Sequence, residues 1–145
     1  MDHYLIYLSY ESIPFTRDKL IDLLAKSREN NHSLGVTGML VYLDGKFLQV
    51  LEGPKSTVKK LYEKISLDDR HKKIAVLLEG PLEKRNFQDW SMGFASTSYD
   101  YLKEVTGLKS LEDFFQSEQV NDLSHPALIF LKLFYKKNRP DFELL

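Results

Sequence analysis

Apolar residues in this chain follow two alternating rhythms, a period of two and a period near three and a half, and each switch of rhythm marks an element. Tyr4 to Tyr10 (YLIYLSY) is dense in aromatic and aliphatic residues and predicts a first strand, with Leu5, Tyr7 and Ser9 on one face. Pro14 breaks that pattern and Thr16 is placed to cap a helix. Leu20, Leu23, Leu24 and Ser27 then fall at i, i+3, i+4 and i+7, the inward stripe of a helix reaching about Asn30. Asn30-Asn31-His32-Ser33 reads either as the stop and loop after that helix or as amides turned inward toward a polar ligand.

Two apolar runs flank Asp44-Gly45, a dipeptide suited to a two-residue type I′ turn, and predict a hairpin of Val36–Leu43 and Lys46–Glu52. In that register Leu43 faces Lys46, Tyr42 faces Phe47 and Leu40 faces Gln49. Phe47, Gln49 and Leu51 share one face and Leu48 and Val50 the other, so both faces are apolar, as in a strand covered on both sides. Gly53-Pro54 opens a second helix, about Lys55 to Ser66, with Val58, Leu61, Tyr62 and Ile65 on its stripe. Asp68 to His71 reads as a turn, Lys73–Glu79 as a fourth strand closed by Gly80-Pro81, and Trp90–Ala95 as a fifth. The order β-α-β-β-α-β-β predicts an α+β sandwich of ferredoxin-like type. Two tail helices, one after Ser110 and one after Ser124 carrying Ile129, Phe130, Leu133 and Phe134 on one stripe, are expected to cover the open face of the sheet, the alternative being a partner-binding surface.

Composition narrows the function. With 145 residues the chain is one domain plus a small extension, and Lys and Arg (20) nearly balance Asp and Glu (21), so no global field recruits nucleic acid. There is no cysteine, hence no disulfide, thiol nucleophile or thiolate metal site. The four histidines (3, 32, 71 and 125) lie too far apart in sequence for metal-ligand spacing. GxSxG, P-loop and GxGxxG motifs are all missing. No signal peptide or apolar span is evident, and a cytoplasmic protein without membrane association is expected.

The candidate chemistry sits at polar residues in apolar surroundings. Gln49 in a covered strand requires a partner, since an unpaired buried amide costs about 1–3 kcal/mol. That partner is backbone in one reading and a ligand or functional side chain in another. Tyr7, buried if its face is the inner one, carries the same requirement. Ser27 and Asn31, four apart, put a polar patch at the end of the first helix's apolar stripe. Lys64 and Arg70 are available to a phosphate, although a solvated lysine-rich face explains the first as well.

Taken together the segments LIYLS, SRENN, GVTGMLVY, GKFLQVLEGP, DDRH and WSM resemble, in this order, the BLUF family of flavin-based blue-light sensors, over roughly residues 1–97. The resemblance implies non-covalently bound FAD, its isoalloxazine between the two helices and the inner sheet face. It implies Tyr7 as photochemical electron and proton donor, and Gln49 as the bridge between Tyr7 and the flavin, changing its hydrogen bonds on excitation. Asn31 would bond the C4 carbonyl and N3 side, flanked by Asn30 and Ser27, and Lys64 and Arg70 would contact the far ring edge or the phosphates. Trp90 and Met92 would relay the signal.

Residues 98–145 are similar in character to the short helical extension of stand-alone members of that family. The resemblance thus implies a sensor rather than an enzyme, its output passing to a separate signalling protein or to further copies through the C-terminal helices. Two other readings compete: a cofactor-free ferredoxin-like interaction module, and a small flavin enzyme.

Overall fold

A computed structural model describes residues 1–43, 45–88, 93–95 and 125–138. Its elements are β1 (Asp2–Glu11), α1 (Arg17–Leu34), β2 (Thr37–Leu43), β3 (Lys46–Gly53), α2 (Lys55–Ser66), β4 (His71–Leu82), β5 (Gly93–Ala95) and α3 (Pro126–Asn138). The strands form one sheet in the order β4-β1-β3-β2-β5, antiparallel except where β5 runs parallel to β2. This is the ferredoxin-like α+β arrangement expected from the element order, with a fifth strand on one edge.

Local chemistry explains the boundaries. Thr16 caps α1, its side-chain oxygen accepting the Lys19 amide at 3.3 Å. The helix does not stop at Asn30. It continues through Asn31, His32 and Ser33 to Leu34, where Gly35 takes the left-handed conformation (φ +71°) and the Val36 amide returns to the Asn31 carbonyl at 2.9 Å. Asparagine costs only a fraction of a kcal/mol within a helix, so the glycine that admits positive φ is the real stop signal. In the hairpin Leu43 pairs with Lys46 as predicted, and Gly45 has φ +75°. A Cβ on Gly45 would also meet the Glu11 carboxylate at 2.7 Å.

Strand β4 runs past its predicted end, through Pro81 to Leu82. As an edge strand it needs no outward N–H from proline, which a central strand would. Of the predicted fifth strand, residues 90–92 lie outside the described residues, as does the tail helix expected after Ser110.

The sheet is covered on both faces. Leu5, Leu40, Phe47 and Leu51 pack against Leu20 and Leu24 of α1 and Val58 and Leu61 of α2. On the opposite face Tyr4, Ile6, Met39, Val41, Leu48 and Val50 pack against Ala127, Leu128 and Leu131 of α3, together with Phe87. Each fully buried leucine is worth about 1.5–3 kcal/mol. The packed stripe of α3 differs from the predicted one: Phe130 and Phe134 flank it, whereas Ile129 and Leu133 are exposed. The contact turns on the small Ala127, which weighs little in a pattern of large side chains. Among the described residues no helix is long and apolar enough to cross a membrane.

On the α3 side Glu52 is wholly buried at the end of β3. Its carboxylate accepts the amides of Asn86 and Phe87, both at 2.9 Å, and the Thr37 hydroxyl at 3.2 Å. Burial pushes its pKa up to about 7, against the pull of these donors and of Arg85. The folded state therefore holds this proton more tightly than the unfolded chain, whose carboxyl titrates near 4.5. The resulting stability is fully present below the unfolded pKa and is lost as pH rises through about 7. Denaturant unfolding of the parent and of Glu52→Gln across that window should show the parent's stability falling relative to the variant's by about 3 kcal/mol. Parallel pH profiles would contradict this assignment.

Candidate functional site

Between α1, α2 and the inner face of the sheet lies a cavity of about 600 Å³. Its floor is Tyr7 of β1, Leu40 of β2 and Phe47 and Gln49 of β3, while Leu23, Lys26, Ser27, Asn30 and Asn31 line it from α1 and Leu61, Lys64 and Ile65 from α2. All seven residues assigned to cofactor binding from sequence, Tyr7, Ser27, Asn30, Asn31, Gln49, Lys64 and Arg70, line this one space. The continuation of α1 is the reason for the amides. Asn30 and Asn31 follow Ser27 by three and four residues, which sets all three on one side of the helix, and Asn31 is buried.

Tyr7 and Gln49 are direct cross-strand partners in the β1–β3 ladder. Both are buried, and the Tyr7 hydroxyl donates to Gln49 Oε1. The partner that each required is the other. Burial, with smaller contributions from Tyr62 and Asp68, raises the Tyr7 pKa far above the usual phenol range, so its proton stays in place at any physiological pH. Tyr62 and His71 border the ring at centroid distances of 5.7 and 6.3 Å.

His71, read from sequence as part of a turn, begins β4 and lines the cavity. Its Nε2 meets the Ile65 carbonyl at 2.7 Å and its Nδ1 meets Ser9 Oγ at 2.8 Å. A carbonyl can only accept, so Nε2 carries the hydrogen; in the neutral ring Nδ1 then accepts the Ser9 hydroxyl. This ties the end of α2 to the strand that carries Tyr7.

Asp68 was also missed. Its carboxylate receives Arg70 Nε at 3.0 Å and is held below its usual pKa by that guanidinium. Both lie with Arg70 in the DDRH segment; Asp68 pairs locally with Arg70, two residues on, whereas the contact of His71 with Ser9 depends on distant chain. The lining carries Lys26, Lys64 and Arg70 against one carboxylate, Asp68, so the cavity is basic on balance. Trp90 and Met92 lie outside the described residues.

Comparison with known proteins gives the family and the fold. Residues 3–93 match the model of the BLUF family, described as sensors of blue light using FAD. The photoactivated adenylate cyclase subunit beta of Euglena longa is 33% identical over 93 residues, 63% of this chain and 11% of that protein. The chain thus spans about a tenth of the length of such curated relatives. Among solved structures, BlrB, a BLUF protein in its dark state, superposes with a TM-score of 0.66 at 29% identity, covering 89% of each chain. The BlsA ground state gives 0.66 at 26% identity over 100% of this chain and 92% of that one. With its cavity, its Tyr7–Gln49 pair and a family match over most of its length, the chain belongs to the BLUF family of FAD-using blue-light sensors.

Proposed function

We propose that the cavity holds FAD without a covalent bond and that Tyr7 and Gln49 together form the light-responsive element. The residues present suit this group. The volume lies within the roughly 300–1,000 Å³ usual for cofactor sites. Phe47, Leu40, Leu61 and Ile65 offer apolar walls to a planar ring, Asn31 and Gln49 offer amides to its polar edge, and the basic lining suits a phosphate chain. When bound, FAD supplies a ring that absorbs blue light and becomes a strong oxidant on excitation.

The chain's own residues do the rest. Tyr7 gives up an electron and its proton, for which a neutral phenol held inside the cavity wall is suited. Gln49 accepts the Tyr7 hydrogen bond, and its two amide ends are nearly isosteric, so rotation or tautomerisation reverses donor and acceptor at little steric cost. Asn31, with Asn30 and Ser27, orients the polar edge of the ring, while Lys64 and Arg70 hold its far edge or the phosphates. Trp90 and Met92 relay the change, the role the family resemblance implies for them.

The observation that carries this reading is the buried Tyr7–Gln49 hydrogen bond on the cavity floor. We assign the sensor to residues 1–97 and the output to 98–145, acting in the cytoplasm on a separate effector protein or on a second copy through the C-terminal helices. The effector's chemistry belongs to that partner, as the cyclase of the Euglena relatives is a property of those longer proteins.

Three outcomes test the reading. The purified FAD-loaded chain is yellow, and under blue light its flavin bands move to longer wavelength and return in darkness. Tyr7→Phe keeps the bound flavin and loses that shift; a normal photocycle in this variant excludes Tyr7 as donor. Asn31→Ala weakens FAD binding by about 5- to 150-fold, measured by fluorescence titration, corresponding to about 1–3 kcal/mol for a lost buried hydrogen bond. Unchanged affinity removes Asn31 from the site.

A further inference from the structure

The structure points to a mechanical reader of the switch on the face of the sheet opposite the cavity. Tyr7 and Gln49 sit on β1 and β3, and near one end of that same strand pair Asp2 and Glu52 both grip the segment Arg85–Phe87. Arg85 Nε donates to Asp2 Oδ2 at 2.8 Å, and Glu52 accepts the Asn86 and Phe87 amides at 2.9 Å each. Glu52 follows Gln49 by three residues on β3 and is held from both sides, opposite Tyr4 on β1 and Thr37 on β2. A small slip of β3 against β1 therefore moves one anchor of the segment relative to the other.

The segment is placed to pass this on. Phe87 is fully buried in the cluster that receives Leu128 and Leu131 of α3, and the chain continues from it toward β5. It is also poised. Among the described residues the buried Asn86 Nδ2 finds no hydrogen-bond partner. A buried amide without a partner is costly, so a rearrangement that satisfies it has a ready gain.

We propose that Glu52 is the positioning residue that couples the Tyr7–Gln49 switch to the Arg85–Phe87 segment, and through Phe87 to α3. This rests on the light-sensor reading and adds to it the path by which the signal crosses the sheet. Glu52 is neither a lining residue of the cavity nor a member of the switching pair, so substituting it separates transmission from photochemistry.

Amide hydrogen exchange on the FAD-loaded full chain, in darkness and under blue light, provides the test. In the parent, illumination changes exchange at the Asn86 and Phe87 amides. Glu52→Gln keeps the side chain's volume but loses one acceptor oxygen. It quickens dark exchange at these amides by about tenfold while leaving the flavin shift intact, and it removes the light-minus-dark difference there. A residue with a merely structural role would speed exchange equally in dark and light and preserve the difference, which would overturn the proposal. So would parent amides that exchange alike in dark and light while the flavin shifts, a result that stands even if the variant fails to fold. A parent flavin that does not respond to light would defeat the sensor reading itself, and the coupling with it.

Discussion

A phenol and a carboxamide meet in the middle of a covered sheet, and much of this molecule is arranged around their hydrogen bond. Tyr7 and Gln49 are cross-strand partners at the floor of a cavity, each buried and each a group that burial penalises unless it is paired. Pairing them answers that penalty, and a carboxamide offers an acceptor at one end and donors at the other, which is what the proposed second form of the contact requires. Burial keeps the phenol protonated, so its proton is held for that bond. On the proposed reading, a stable core and a reversible switch are built from the same two side chains.

The surrounding layers make that bond consequential. On one side α1 and α2 stand away from the sheet far enough to leave the cavity, and His71 ties the end of α2 to the Tyr7 strand through Ser9. On the other side α3 covers the sheet with Ala127, Leu128 and Leu131, which pack against Tyr4, Ile6, Met39, Val41, Leu48 and Val50. The exposed Ile129 and Leu133 leave α3 with apolar surface of its own. Strands β1 and β3 are common to both layers, which is why a change at the cavity has a physical route to the opposite face.

Part of the site was legible because side-chain periodicity is a local property, and the roles of its residues followed from the family resemblance. Strand alternation put Tyr7 on one face with Leu5 and Ser9 and Gln49 on one face with Phe47 and Leu51, without saying which face was inner; helical spacing put Ser27 and Asn31 four apart, and the register Leu40–Gln49 followed from a two-residue loop. The legible part ended where contacts depend on distant chain. Asn30 and Asn31 carried a loop-like composition, and only Gly35 reveals that the helix runs on. His71 looked like a turn residue because Ser9 lies 62 positions away and the β1–β4 ladder is interrupted between Leu8 and Tyr10. Pro81 looked like a strand end because sequence does not say which strand is at an edge. Glu52 escaped notice entirely, since two of its partners are backbone amides, and a backbone amide has no signature in the residue that bears it.

The central claim, that the Tyr7–Gln49 hydrogen bond has two forms selected by light, is tested most directly by infrared difference spectroscopy on FAD-loaded protein with isotope-labelled tyrosine and glutamine. The account predicts label-sensitive bands from both side chains that appear with the flavin shift and decay with it in darkness. A flavin shift accompanied by no change in either the tyrosine or the glutamine bands would contradict it.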